Sequence, residues 1–93
     1  MIETRLLRQF IAVAEELHFN RAAQRLHMAQ PPLSQAIQRL EAQVGAPLLA
    51  RTNRSVTLTP AGAAFLETAR RMLAALDEGW RRRGAWRRAW KAT

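Results

Sequence analysis

Cysteine is absent from the 93 residues. The chain therefore holds no disulfide, no thiolate metal ligand and no thiol nucleophile. Tyrosine is absent too, and aromatic residues make up only 6%. The longest unbroken apolar stretches, 10–14 and 72–76, are five residues each, whereas a membrane-spanning helix needs about 20. Glu3 sits near the N-terminus without the apolar core of a secretory signal, so a cytoplasmic location is expected. Acid is scarce: seven Asp+Glu stand against fifteen Lys+Arg, a net charge of +8. An excess of that size in one small domain points to a polyanion, either nucleic acid or an anionic membrane surface.

The basic residues are fourteen arginines and one lysine. Arginine presents a planar fork of donors that suits phosphates and guanine edges. The charge falls into two parts. Residues 1–76 carry nine basic and five acidic side chains, residues 77–93 six and two, so each part holds +4. Eighteen alanines and many leucines, with few β-branched residues, favour helices that cross closely. A core of this size is modest, so a dimer partner would add stability.

The periodicity predicts a helix over roughly 4–18, with Leu6, Phe10, Ala14 and Leu17 on its apolar stripe. Glu15 and Glu16 lie at the end where the helix dipole disfavours acid, and adjacent positions point to different sides of a helix. Asn20 is read as the N-cap of a short helix containing Ala22, Ala23 and Leu26. His27-Met28-Ala29 is the expected turn. Gln30-Pro31-Pro32 opens the next helix, where prolines are tolerated. Leu33, Ile37, Leu40 and Val44 form its stripe, and Gly45 ends it in the left-handed conformation. Residues 48–51 and 56–58 are short strands joined by the polar turn 52–55. Thr59-Pro60 starts a last helix that runs to at least Asp77, about 28 Å or more in length. No internal repeat is present.

Helix, short helix, tight turn, helix, hairpin and long helix is an order that many small bundles share. The residues are more specific. Ala22-Ala23-x-x-Leu26, then Gln30-Pro31-Pro32-Leu33-Ser34-x-x-Ile37-x-x-Leu40-Glu41, Gly45, Leu48-Leu49-x-Arg51 and Leu58-Thr59-x-Ala61-Gly62 closely resemble the N-terminal DNA-binding domain of LysR-type transcriptional regulators. The resemblance covers about residues 2–78 without gaps. It implies a mainly α fold: a winged helix-turn-helix of three helices and a short β-hairpin wing, then a long dimerisation linker helix. The expected regions are 1–58 for the DNA-binding domain, with the motif at about 19–38 and the wing at about 48–58. The linker helix would be 59–78, and residues 79–93 form an Arg/Trp-rich tail of unassigned role. In the family, a longer effector-binding domain follows the linker helix, so no small-molecule effector site is expected within this chain. The Gln-Pro-Pro-Leu-Ser variant is similar to that of members controlling aromatic-compound catabolism. Two positions depart from the pattern. Ala29 stands where Ser or Thr usually caps the recognition helix, and Leu49 stands where Phe is commoner.

Helix 31–44 is then expected to read the major groove of double-stranded DNA. Gln30, Ser34, Gln35 and Gln38 can donate and accept, and glutamine can pair bidentately with adenine. Pro31 and Pro32 can touch thymine methyls. Arg39 is a further candidate on the same helix. A glutamine-rich face can also be merely solvated; the motif tips the reading toward base contact. Arg51, Asn53 and Arg54 belong to the wing, where arginine can enter the minor groove or bind phosphate. Asn20 and Arg21, at a helix start, suit a phosphate. Phe65, Leu66, Ala69, Met72, Leu73, Leu76 and Trp80 are assigned to a homodimer that would read a pseudo-palindromic operator.

Catalysis finds no support. His18 and His27 lie nine apart with no cysteine near, there is no phosphate-cradling glycine loop, and neither a metal nor a cofactor is expected. In the tail, Trp86, Ala89 and Trp90 would share one helical face. Such a face suits a membrane surface, burial across a dimer, or a chain end frayed by its glycines. The structural readings are preferred, and no membrane partner is expected. A short repressor or antagonist without an effector domain is the alternative function, with a membrane-surface protein more remote.

Overall fold

The computed structural model describes residues 2–92; Met1 and Thr93, the outer ends of the first and last expected regions, lie outside the described residues. Helix α1 (Thr4–Glu16) buries Leu6, Leu7, Phe10, Ala12, Val13 and Ala14. These positions cover more than one side of the helix, because α1 is the central element on which α2, α3 and α4 all pack. It stops earlier than expected. Leu17 takes a left-handed conformation, φ 49°, while its N–H bonds the Val13 carbonyl at 2.7 Å. That turn swings its side chain out to 41% exposure, so Leu17 is not a core residue.

Helix α2 (Phe19–Arg25) is capped by His18, not by Asn20. His18 is extended, and its Nδ1 accepts the Arg21 N–H at 3.1 Å. The left-handed Leu17 leaves a single extended residue before the helix begins, which places Asn20 inside the first turn. The following turn is the expected His27-Met28-Ala29. His27 has φ 55°, His27 N–H bonds Gln24 O and Met28 N–H bonds Ala23 O, a left-handed helix stop with histidine in the usual glycine place.

Helix α3 (Gln30–Val44) starts on Ala29, whose side chain makes no capping bond, with proline in the first turn. Leu33, Ala36, Ile37 and Leu40 are buried, while Val44 is 36% exposed. Gly45 closes the helix at φ 87°, a region that favours glycine. Strands β1 (Leu49–Arg51) and β2 (Val56–Leu58) pair antiparallel, with Leu49 opposite Leu58 and Arg51 opposite Val56. The Thr52 hydroxyl accepts the Ser55 and Arg54 amides and so closes the turn between them.

Helix α4 (Pro60–Arg81) is capped by Thr59, whose Oγ1 accepts the Gly62 N–H at 2.9 Å and donates to the Pro47 carbonyl at 2.7 Å. Its 22 residues extend about 33 Å. It crosses α1 through Leu66, Ala69 and Leu73, which are at most 9% exposed, and the Phe65 and Phe10 rings meet edge-on at 5.4 Å. The assignment of all seven stripe residues to a second chain is therefore corrected. Leu66, Ala69 and Leu73 are taken up by the chain's own core, and Phe65 packs against it. Met72, Leu76 and Trp80 are exposed, because α1 ends at Thr4 and covers no more of the stripe. The tail is not frayed. Helix α4 continues through Gly79, and after Arg82 a further helix, α5 (Arg83–Ala92), follows with none of its residues buried.

Glu15 and Glu16 turn out to meet the same partner. Arg25 of α2 donates to Glu15 at 2.7 Å and to Glu16 at 3.3 Å. Arg70 of α4 reaches the other Glu15 oxygen at 2.7 Å, and Arg21 lies 3.7 Å from Glu16. The unfavourable helix end is thus neutralised from outside. The hydrogen bond from Arg70, and then that from Arg25, hold the Glu15 carboxyl below its ordinary pKa. A depressed carboxylate stabilises the fold fully above the ordinary carboxylate range, and its contribution vanishes as the pH falls through the depressed value.

Two outcomes follow from this packing. The thermal midpoint of the wild type should exceed that of Glu15→Gln at neutral pH, and the gap should close on acidification below the carboxylate range. A gap that stays constant with pH would mean that Glu15 acts by packing alone. Gly62→Ala would place a methyl 1.9 Å from the Leu48 carbonyl oxygen, which is backbone and has little room to yield. Urea denaturation should show a loss of about 2 kcal/mol or more.

Candidate nucleic-acid interface

The first turn of α3, the start of α2 and the wing turn surround one open concavity of about 390 Å³. Asn20, Gln30, Asn53 and Arg54 all line it, together with His18, Phe19, Thr52 and Ser55. Folding thus brings together residues up to 34 positions apart in sequence. Gln30 is half-buried where the turn from α2 delivers it, while Pro31 and Pro32 stand exposed on the opening turn. Asn53 and Arg54 are exposed at the tip of the wing.

Ser34 sits one turn further along α3 and is tied to the wing by Arg51. The Arg51 guanidinium lies 4.5 Å from the centre of the Phe19 ring and donates to Ser34 Oγ at 3.3 Å. It also stands 3.9 Å from the Glu41 carboxylate, whose other oxygen accepts the Leu48 and Leu49 amides at 2.8 and 3.2 Å. Arg51 is therefore a strut joining α2, α3 and the wing. Because it donates to the serine oxygen, the hydroxyl hydrogen is left to bond elsewhere.

Other candidates lie apart from this cluster. Pro32, Gln35 and Arg39 line a second groove of about 240 Å³ with Arg5 and Gln9, on the side of α3 away from the wing. Gln38 is exposed on the next turn. Arg21 folds back on α1, donating to the Glu16 carbonyl at 3.2 Å, so its guanidinium is engaged at a helix end. Of the two wing arginines, Arg54 makes no ion pair among the described residues, whereas Arg51 does.

His18 was not singled out from sequence, yet it lines the concavity and caps α2. Its signal was masked by Asn20, a stronger cap former by residue type. Thr52 and Ser55 were read only as turn residues. Their hydroxyls lie 3.0 Å apart and hold the wing tip that carries Arg54. Among the described residues no group of three or more His, Asp or Glu side chains could hold a metal ion, and no helix is long and apolar enough to cross a membrane.

Comparison with known proteins agrees with this geometry. Residues 4–63 match the family model described as bacterial regulatory helix-turn-helix protein, lysR family. The chain is 65% identical over 77 residues to the HTH-type transcriptional regulator YnfL of Escherichia coli, covering 83% of this chain and 26% of that protein. It is 56% identical over 78 residues to the HTH-type transcriptional regulator AlsR of Bacillus subtilis, covering 84% and 26%. It thus spans about a quarter of the length of these relatives. Among solved structures, it superposes on a CbnR DBD–DNA complex with a TM-score of 0.83 at 50% identity, covering 90% of this chain and 98% of that one. Full-length CbnR complexed with its target DNA gives 0.87 at 48% identity, over 90% of this chain and 29% of that one. By sequence and by fold, this chain belongs to the LysR family of bacterial regulatory helix-turn-helix proteins.

Proposed function

We propose that this chain is the sequence-specific, duplex-reading module of a dimeric LysR-type transcription regulator, acting in the cytoplasm and without a catalytic step. The observation that carries this reading is the grouping of Gln30, Asn20, Asn53 and Arg54 round one concavity, beside a recognition helix with exposed prolines. The CbnR and BenM domains that share the fold are structures of DNA complexes. Residues 1–58 form the reader, 59–78 the linker helix and 79–93 a separate tail.

In this proposal the first turns of α3 enter the major groove. Gln30 meets base edges, Pro31 and Pro32 meet thymine methyls, and Gln38 flanks them. Ser34 acts as a hydrogen-bond donor toward an acceptor on a base, since Arg51 already donates to its oxygen. Arg54 takes phosphate or the minor groove. Asn20 lies at the start of α2, where backbone N–H groups favour a phosphate. Arg39 and Gln35 face the flank of the site. Arg51 and Arg21 act through position, not through direct contact with DNA.

The dimer surface is narrower than the stripe read from sequence. Met72, Leu76 and Trp80 are the large apolar residues that α4 leaves exposed, at 40%, 49% and 63%. Exposed Ala64, Thr68 and Ala75 are small enough for a second α4 to approach closely.

In gel-shift competition, Gln30→Ala should narrow the gap between target and random DNA by about 1–3 kcal/mol. Arg54→Ala should weaken both alike and reduce the slope of log affinity against log salt by about one. An unchanged target-to-random ratio for Gln30→Ala would reject the assigned reading face. Met72→Glu with Leu76→Glu should shift the chain from dimer to monomer in sedimentation velocity while its circular dichroism stays helical.

A further inference from the structure

Helix α5 and the end of α4 take no part in the duplex-reading cluster, yet they hold half of the net charge. Beyond Glu78 the chain carries Arg81, Arg82, Arg83, Arg87, Arg88 and Lys91 and no acid. It also carries all three tryptophans, and they are 63%, 54% and 79% exposed at Trp80, Trp86 and Trp90.

These indoles are gathered by the break at Arg82. The Trp86 ring lies over Gly79, 3.6 Å from where a Cβ there would stand, so the start of α5 is braced against α4. The three tryptophans with Arg83 and Arg87 line one shallow surface of about 320 Å³. The Arg83 guanidinium lies 4.8 Å from the Trp80 ring centre and donates to the Trp80 carbonyl at 2.9 Å. Indole faces and guanidinium forks therefore alternate on one patch.

That alternation decides between polyanions. A helix embedded in a bilayer surface segregates its cations from its aromatic side. Here Arg83 and Arg87 stand within the tryptophan patch, and the remaining apolar side of α5 is only Ala85, Ala89 and Ala92. A second copy of the patch would bring like charges together. Duplex DNA keeps its base faces inside its own stack, whereas a single strand exposes both base faces and phosphates.

We propose that the Trp80–Trp86–Trp90 patch is a second nucleic-acid site that takes a single strand, with bases stacked on the indoles and phosphates on Arg83 and Arg87. It stands apart from the duplex-reading face, and neither site requires the other.

The chain has no tyrosine and no tryptophan outside this patch, so tryptophan emission reports it alone. The full chain is titrated with oligothymidylate and oligouridylate of about twelve nucleotides. Parallel titrations use a duplex of equal phosphate number and phosphatidylglycerol vesicles. Both single strands, or one of them, should quench the emission saturably, less tightly at higher salt, and the pair distinguishes DNA from RNA. The duplex should leave the emission nearly unchanged. Trp86→Ala with Trp90→Ala should weaken single-strand binding at least about tenfold. The same variant should keep the wild-type affinity for duplex and its helical circular dichroism, and Trp86→Phe should retain single-strand binding. The proposal is overturned if neither single strand quenches, or if the duplex quenches as strongly. Tighter binding to the vesicles than to the oligonucleotides, with a blue shift, would overturn it in favour of a lipid surface.

Discussion

Leu48 donates its N–H to the Glu41 carboxylate and accepts the Thr59 N–H at its carbonyl, 3.1 Å away. The same carbonyl lies so close to Gly62 that no side chain fits between them. The Leu48 side chain is fully buried. The end of α3, the first strand of the wing and the start of α4 are thus locked at one residue. Loosening this junction would free the wing from the recognition helix and change the direction in which the long helix leaves. The Thr59 hydroxyl reinforces it by capping α4 and donating to Pro47 at once. Glycine at 62 is required here for lack of a Cβ, not for an unusual φ.

A second strut depends on the first. Arg51 stacks on Phe19, donates to Ser34 and faces the same Glu41 carboxylate that holds Leu48 and Leu49. A wing arginine that is satisfied three ways has little left for a phosphate, so it sets the geometry of the surface. Arg54, at the tip of the turn closed by Thr52 and Ser55, is the wing cation turned to solvent. Two arginines three residues apart thereby take different tasks.

The same distinction runs through the charge of the whole molecule. Arg5, Arg8, Arg21, Arg25, Arg70 and Arg71 in the body form ion pairs with Glu3, Asp77, Glu16, Glu15 and Glu67. Most are exposed pairs and contribute little stability individually. Their effect on the outer field is larger, since each pair cancels locally. Arg39 and Arg54 are the body arginines outside any ion pair among the described residues. The +4 of residues 1–76 is therefore concentrated at the face beside α3 and the wing. The +4 beyond it sits at the far end of the long helix, on a patch with a different chemistry.

The element boundaries were legible because they are set locally. Pro31 and Pro32 in a first turn, Gly45 at a left-handed stop, the Thr59-Pro60 cap and the alternation at 56–58 each act within a few residues. The family motif was legible for the same reason, as it records the residues that such a fold needs at fixed spacing. What escaped the sequence depends on distant partners. His18 displaced Asn20 as a cap because Leu17 turned left-handed. Glu15 and Glu16 met one arginine because α2 folds back along α1. The helical stripe 65–80 is continuous in sequence, but only the placement of α1 decides which part is core and which is surface. Periodicity marks an apolar face; what covers that face is a property of tertiary packing.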